Sequence, residues 1–407
     1  MEKAGLRPGD LLFGWERLPD PPANPAGGEG EIRTVFDWAW VKAEQAPRGA
    51  VRLRGEQEGV AIVIDVPKGP WDVQVRPRMA ADLLEAYMAG RHRVDAGDHE
   101  AGIALWNQLV QRVEPQAAPG LRAWILLQVS EAWSKNRQGD KTRPALQAAL
   151  EEAPDAQTRV VLGEALGASY QLANEMARAE ASFRSALKVG ETAWGESLRV
   201  ASTISKLGYV VRLQHRLGEA QQLQGRALEI RQRLAPDSLE VTDSLHQLFL
   251  VAWDRRDIEA MSEYVRRALA IQERWPPDTL AMADTLNDLG ILERERNRFG
   301  EAAAAFQRAL MILERRSPES IPVAITLSRL GTSALLLRDE ESAEALLQRA
   351  LAIREKLAPA SPGTSDVLSN LGVIAQRRGD LATAENLIRR ALAIAERTAP
   401  EGASVGA

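Results

Sequence analysis

Leucine stands at positions 166, 207, 248, 289, 330 and 371, a constant step of 41 residues, and glycine follows each of them except at Phe249. Ala-Leu pairs keep the same step at 186–187, 227–228, 268–269, 309–310, 350–351 and 391–392. A further column is small or apolar: Ala179, Ala220, Met261, Ala302, Ala343 and Ala384. Proline closes five units, at Pro236, Pro277, Pro318, Pro359 and Pro400. So many columns held in phase over six copies specify a stack of like units rather than one compact core. At 407 residues the chain is also too long for a single core.

Each column has a physical task. The Leu-Gly pair falls mid-way along a first helix, with the leucine in the core and the glycine admitting a second helix. Close approach there has to outweigh the roughly 1 kcal/mol that glycine costs inside a helix. The alanine column is expected to be the matching small residue on the second helix, and the Ala-Leu pair to pack against the next unit. Proline ends the second helix because it has no N–H and clashes with the preceding turn. Each buried leucine contributes roughly 1.5–3 kcal/mol, but only when neighbouring units stack.

From Met79 onward alanine, leucine, glutamate and arginine dominate, and apolar residues recur at helical spacing. Two less regular helix pairs are expected upstream of the regular array, Asp82–Ala96 with Asp98–Val113 and Leu121–Arg137 with Lys141–Glu152. Residues 1–78 differ. They hold 9 of the 21 prolines. Leu11–Phe13 reads as a strand, and Val51–Arg54 and Val60–Val66 as a hairpin joined by Gly55–Gly59. Thr34–Ala46 reads as a short amphipathic helix and Pro19–Gly30 as a loop. Trp71, in the proline-rich joint, is expected to pack one module onto the other.

The repeat columns, with Ile204, Leu245, Leu286, Leu327 and Leu368 at a further apolar position, resemble the tetratricopeptide repeat. The step of 41 exceeds that family's usual 34 by about two helical turns. It is similar to the long-helix variety of kinesin light chains and many bacterial regulators, as Ala343-Glu344…Arg349-Ala350-Leu351-Ala352-Ile353 illustrates. The resemblance implies a mainly α fold, a right-handed α-solenoid of about eight helix pairs preceded by a small α+β module. The expected domains are 1–78 for that module, 79–153 for two irregular pairs, 154–400 for six repeats and 401–407 for the start of a further repeat or a tail. Pro400–Val405 aligns with Pro236–Val241, which opens a repeat, so the chain is expected to be a fragment of a longer array.

Ala4-Gly5-Leu6-Arg7-Pro8-Gly9-Asp10-Leu11-Leu12 resembles the Ala-Gly-Leu-x-x-Gly-Asp stretch of bacterial PDZ domains of the HtrA type. In that family the peptide-binding edge strand and carboxylate loop precede this motif, and here only three residues do. The resemblance is therefore to a partial module, and no peptide-carboxylate site carries over from it.

The sequence offers no catalytic constellation. It has no cysteine, so disulfides, thiolate metal sites and cysteine nucleophiles are excluded. No nucleophile elbow, phosphate-binding loop or His-Glu-x-x-His motif occurs. Gly27-Gly28-Glu29-Gly30 opens no helix and reads as a linker. His92 and His99 flank a Gly97-Asp98 turn, which reads as a solvated helix end rather than a metal site. The paired arginines 315–316 and 389–390 are interspersed with glutamates and read as surface. A net charge of −5 argues against nucleic acid. No signal-peptide core and no long apolar run occurs, which makes the cytoplasm the expected location and excludes a membrane span.

The function expected is protein–protein interaction: a partner protein or peptide bound in the concave groove of the solenoid, with no cofactor and no metal. The resemblance also implies an alternative, the regulatory part of a larger bacterial enzyme whose CHAT-type protease or protein kinase domain lies elsewhere. Numbering from the core leucine, the inward positions are two before it and two, five and six after it. In the central units these include Ser205, Tyr209, Arg212, His246, Leu250, Trp253, Asp254, Asn287, Ile291, Arg294, Ser328 and Thr332. Most are small or polar, as a solvated groove requires. Trp253 stands out as an aromatic in a column otherwise filled by Gln171, Arg212, Arg294, Leu335 and Gln376. It reads either as a groove hot spot or as a side chain leaning sideways into the neighbouring pair.

Overall fold

A computed structural model describes residues 6–71, 73, 75–114, 120–135 and 138–398. The aligned stretch Pro400–Val405 lies outside these. The chain forms two compact units, Met1–Val251 and Ala252–Ala407.

The first unit opens with four antiparallel strands in the order β2-β1-β3-β4. They are β1 (Leu11–Arg17), β2 (Gly28–Glu31), β3 (Val51–Gln57) and β4 (Val60–Val66). β2 occupies the end of the expected Pro19–Gly30 loop. Its Gly-Glu-Gly-Glu sequence has no strand propensity and is held by pairing with β1 alone. The hairpin is tighter than expected. Its turn is Glu58-Gly59, both left-handed with φ of 51° and 84°, as a two-residue hairpin demands. Gly55 instead lies inside β3, where a Cβ would fall against the Leu11 carbonyl. A bulge at Phe13 breaks the register between β1 and β3.

Thr34 and Asp37 form a capping box that starts α1 (Val35–Trp40), which runs on as a π-helical stretch, Val41–Gln45. Trp38 and Val41 cover the sheet residues Trp15, Val51, Leu53, Ile64 and Val66. Trp71 is part of this same cluster, 5.7 Å from Trp38 with its Nε1 donating to the Pro67 carbonyl at 2.9 Å. It thus closes the sheet module's own core and does not join the two modules. Phe36, on the other face of α1, does the joining, because it belongs to the core of the helical array.

Helices follow as antiparallel pairs. The first unit holds α2 (Ala81–Asp95), α3 (His99–Arg112), α4 (Leu121–Lys135), α5 (Gly139–Glu151), α6 (Ala156–Leu172), α7 (Met176–Trp194), α8 (Leu198–Leu213), α9 (Leu217–Leu234) and most of α10 (Leu239–Asp254). The second holds α11 (Ile258–Gln272), α12 (Leu280–Glu295), α13 (Phe299–Arg316), α14 (Ile321–Leu336), α15 (Glu340–Leu357), α16 (Pro362–Arg377) and α17 (Leu381–Thr398). Among the described residues, no strand follows β4. The fold is mainly α, a solenoid of helix pairs after a small sheet.

The apolar column Ile204, Leu245, Leu286, Leu327 and Leu368 is the best buried part of the array, at 0–1% exposure. The glycine column does more than admit a backbone. A Cβ at Gly167 would sit 2.8 Å from the Phe183 ring, one at Gly208 2.6 Å from Gln224, and one at Gly331 2.9 Å from Leu347. The residue that fills the space is therefore four after the alanine column, not the alanine itself. Alanines 179, 220, 302 and 343 are buried beside it. The repeat that carries Phe249 in place of glycine has Val265 in the column where two other repeats have Phe183 and Phe306.

The turn inside each pair is also periodic. Asn174, His215, Arg256, Asn297, Arg338 and Gly379 all have positive φ, between 58° and 81°. This left-handed residue ends the first helix and reverses the chain. It also accounts for His215, whose place is a turn.

The fit between glycine and ring gives the first prediction. Gly167→Ala should destabilise by roughly 1–3 kcal/mol, despite alanine's better helix propensity, because the Phe183 ring cannot move aside. Combining it with Phe183→Val should cost less than the sum of the two single changes in a denaturant titration. Additive costs would mean the two positions do not share the space.

Candidate partner-binding surface on the first helices

The first helix of each pair uses part of its surface to reach its neighbours, and this decides which of the twelve expected groove residues are open. Two residues before the core leucine, two of the expected side chains turn inward. Ser205 is 6% exposed, and its Oγ donates to Gln224 Oε1 on α9 at 2.9 Å. Asn287, also 6% exposed, donates from Nδ2 to Thr326 Oγ1 on α14 at 3.0 Å. Two residues after the leucine, Leu250 and Ile291 are buried too. These four were expected on a solvated groove. They are instead taken up in helix packing: Ser205 bonds the second helix of its own pair, Asn287 bonds the next first helix, and Leu250 and Ile291 are buried.

The remaining expected residues stay at least partly open. In the first unit these are Tyr209, with the Arg212 guanidinium 5.3 Å from its ring, and half-buried His246. In the second unit, Ser328 and Thr332 are half-buried, but both hydroxyls donate to carbonyls of their own helix, at 2.7 and 2.9 Å. Asp254 is exposed. Trp253 is half-buried and leans toward α12. Its Nε1 donates to Glu295 Oε1 at 3.2 Å, and the Arg294 guanidinium lies 5.9 Å from its ring. The ring is thus braced from the side while remaining at the surface.

Further charged side chains on these helices were not singled out from the sequence. Half-buried Arg329 lies on α14, one residue before Leu330. Burial lowers its pKa from the ordinary value. Asp288 opposes this, Arg294 reinforces it, Asp284 opposes it and Arg354 reinforces it. In the first unit, Glu164 is 5% exposed and collects three donors from α8: Thr203 Oγ1 at 2.6 Å, Lys206 Nζ at 2.8 Å and the Arg199 guanidinium. The sequence does hold a signal for this carboxylate. It occupies the column two before the core leucine, where Ser205, Ser328 and Ser369 are small, so a charge there needs partners on the next first helix.

The sheet module reaches the same network. Glu44, in the π-helical stretch, is buried. Its Oε2 accepts the Arg199 amide at 3.1 Å at the N-terminus of α8, where Ser197 Oγ already accepts the Val200 amide at 3.1 Å. Glu44 Oε1 accepts from Arg48 Nη1 at 2.9 Å, Arg48 Nε donates to Asn24 Oδ1 at 2.8 Å, and Asn24 Nδ2 donates to the Leu234 carbonyl ending α9 at 2.7 Å. The module therefore caps one helix start and one helix end of the array.

Among the described residues, no three His, Asp or Glu side chains converge as metal ligands would. His92 lies exposed in the last turn of α2, and His99 opens α3 after the Gly97 turn and the Asp98 cap. No helix of the described residues is long and apolar enough to cross a membrane. What the surface offers is aromatic area, guanidinium groups and carboxylates, which suits recognition.

Comparison with known proteins agrees with this architecture. Two family models, both described as tetratricopeptide repeat, match residues 240–315 and 322–397 in one case and 200–238 in the other. Over these segments the chain is similar to tetratricopeptide repeats. Among solved structures, the repeats are similar to BtubC (BKLC) from P. vanneervenii, at 25% identity over 55% of this chain and 91% of that one, with a TM-score of 0.46. A putative kinesin light chain from Podosopora anserina with nearly identical TPR-like repeats is 18% identical over 48% of this chain and 96% of its own, with a TM-score of 0.39. The apo form of RapI is 14% identical over 68% of this chain and 98% of its own, with a TM-score of 0.51, a likeness of fold alone. No curated protein matches the chain.

The Glu44 contact between sheet module and repeats yields a pH prediction. Burial raises the pKa of Glu44, against the lowering by the Arg199 amide, Arg48 and the Leu198 amide. The folded protein then holds this proton more tightly than the unfolded chain. The carboxylate's cost is present above the folded pKa and disappears as pH falls toward the unfolded value. Between about pH 8 and about pH 5, the melting temperature of the wild type should rise relative to that of Glu44→Gln. A difference that stays constant would show that docking does not desolvate this carboxylate.

Proposed function

We propose that the repeats bind a protein or peptide segment along the first-helix faces and that the chain acts as an interaction scaffold with no chemistry of its own. Trp253 carries this reading. A large aromatic at the surface, braced by Glu295 and Arg294, is ordered before binding, so little conformational entropy is lost when a partner covers it. Tryptophan and arginine are the side chains most enriched among interface hot spots. Within the second unit, Asp254, Arg294, Ser328 and Thr332 belong with it. Tyr209, Arg212 and His246 form the corresponding open set of the first unit. The sheet module, whose sequence resembles a partial PDZ domain, serves in this reading as a docked cap on the array rather than a peptide binder.

The test is Trp253→Ala in the full chain. A partner captured by the wild type and identified by mass spectrometry should bind the variant on the order of 30-fold more weakly, about 2 kcal/mol, with little change in melting temperature. If the variant instead melts several degrees lower while binding per folded molecule is unchanged, Trp253 is a packing residue and the binding surface lies elsewhere.

A further inference from the structure

We propose that the outer edge of β4 pairs with β4 of a second copy of this chain, joining the two sheets into one antiparallel sheet about a two-fold axis at Val63. The sheet has two edges, and they are built differently. β2 is four residues long and carries Glu29 and Glu31, the usual devices of a short charged edge that discourages pairing. β4 is seven residues long and has no proline, and its register with β3 runs unbroken from Val51↔Val66 to Gln57↔Val60. Its one charge, Asp65, is already engaged by Arg52 of β3, with Nε at 2.8 Å and Nη2 at 3.1 Å. Among the described residues no strand pairs with its outer edge.

The exposed side chains identify the occupant. Val60 and Val63 are 67% and 63% exposed, although they lie in a strand whose Ile64 and Val66 are buried. A two-fold axis at Val63 is the register that uses all seven residues, and opposed residues then share a face. On the inner face, Val60 of one copy meets Val66 of the other and Ile62 meets Ile64, giving a row of β-branched pairs. On the outer face, Val63 meets its own counterpart and Ala61 meets Asp65, so no like charges oppose each other. Both exposed valines gain an apolar cross-strand neighbour, which is the unit of sheet stabilisation. An axis one rung pair away would set Glu58 against Val66 or bring Pro67 into the ladder, and proline cannot donate to it.

A strand-to-strand contact is smaller than the roughly 1,200 Å² at which stable interfaces begin, so the association is weak and concentration-dependent. Sedimentation equilibrium of the full chain from about 1 to about 200 µM should show a monomer–dimer equilibrium. Val63→Lys and Val63→Glu should each weaken it by about tenfold or more, because like charges then face each other at the axis. Neither should lower the melting temperature, since Val63 is exposed. An equimolar mixture of the two variants should restore dimerisation. The chain has no cysteine, so Val63→Cys should give a disulfide-linked dimer on mild oxidation through this contact alone. A wild type that is monomeric throughout, a dimer indifferent to both charges, or a mixture that stays monomeric would each overturn the proposal.

Discussion

In most of the regular pairs, a side chain of the second helix fills the space of a missing Cβ on the first. Phe183 over Gly167, Gln224 over Gly208, Phe306 over Gly290, Leu347 over Gly331 and Ile388 over Gly372 are the same contact repeated. Close packing of this kind fixes the distance between the two helices of a pair and their rotation about their axes. With those fixed, the apolar column of Ile204 and its counterparts points into the core, and the opposite flank of each first helix is left for neighbours and solvent. The open first-helix residues owe their positions to this contact, although none of them takes part in it.

The helical array was legible in the sequence because its signals are local and repeated. A step of 41 residues survives individual exceptions, and proline, glycine and alanine each have one steric reason for their column. The sheet module was legible in outline, as strand, loop, helix and hairpin. It went astray where tertiary contact overrode local signals. β2 is a strand only because β1 pairs with it, and Gly55 looked like a turn residue but sits where a Cβ would meet the Leu11 carbonyl. Trp71 was assigned to the joint by its place in the chain, whereas its indole had room in the sheet module's own core.

The surface was less legible than the fold, for a physical reason. Periodicity gives the direction in which a side chain leaves its helix, but not whether a neighbouring helix stands there. Serine, asparagine and isoleucine at inward positions fit a wet groove and an interhelical seam equally well. Ser205, Asn287 and Ile291 prove to be buried between helices, while Tyr209, Arg212 and Trp253 stay at least partly open. Ser328, the same residue type as Ser205, and Thr332 stay partly open as well, so residue type alone did not separate the open positions from the closed ones.

Charge on the first helices has a consequence for how the first unit holds together. Burying Glu164 between α6 and α8 would cost several kcal/mol if it stood alone, and Thr203, Lys206 and Arg199 offset that cost only while the two helices keep their spacing. Arg199 serves two masters: its side chain holds Glu164, and its amide is held by Glu44 of the sheet module. Glu44 is in turn tied through Arg48 and Asn24 to the end of α9. A displacement of the sheet module would therefore uncap α8 at the residue that neutralises Glu164. Sheet module and first helices form one hydrogen-bonded network here, and the geometry of the α6–α8 face is set in part by residues more than a hundred positions earlier in the chain.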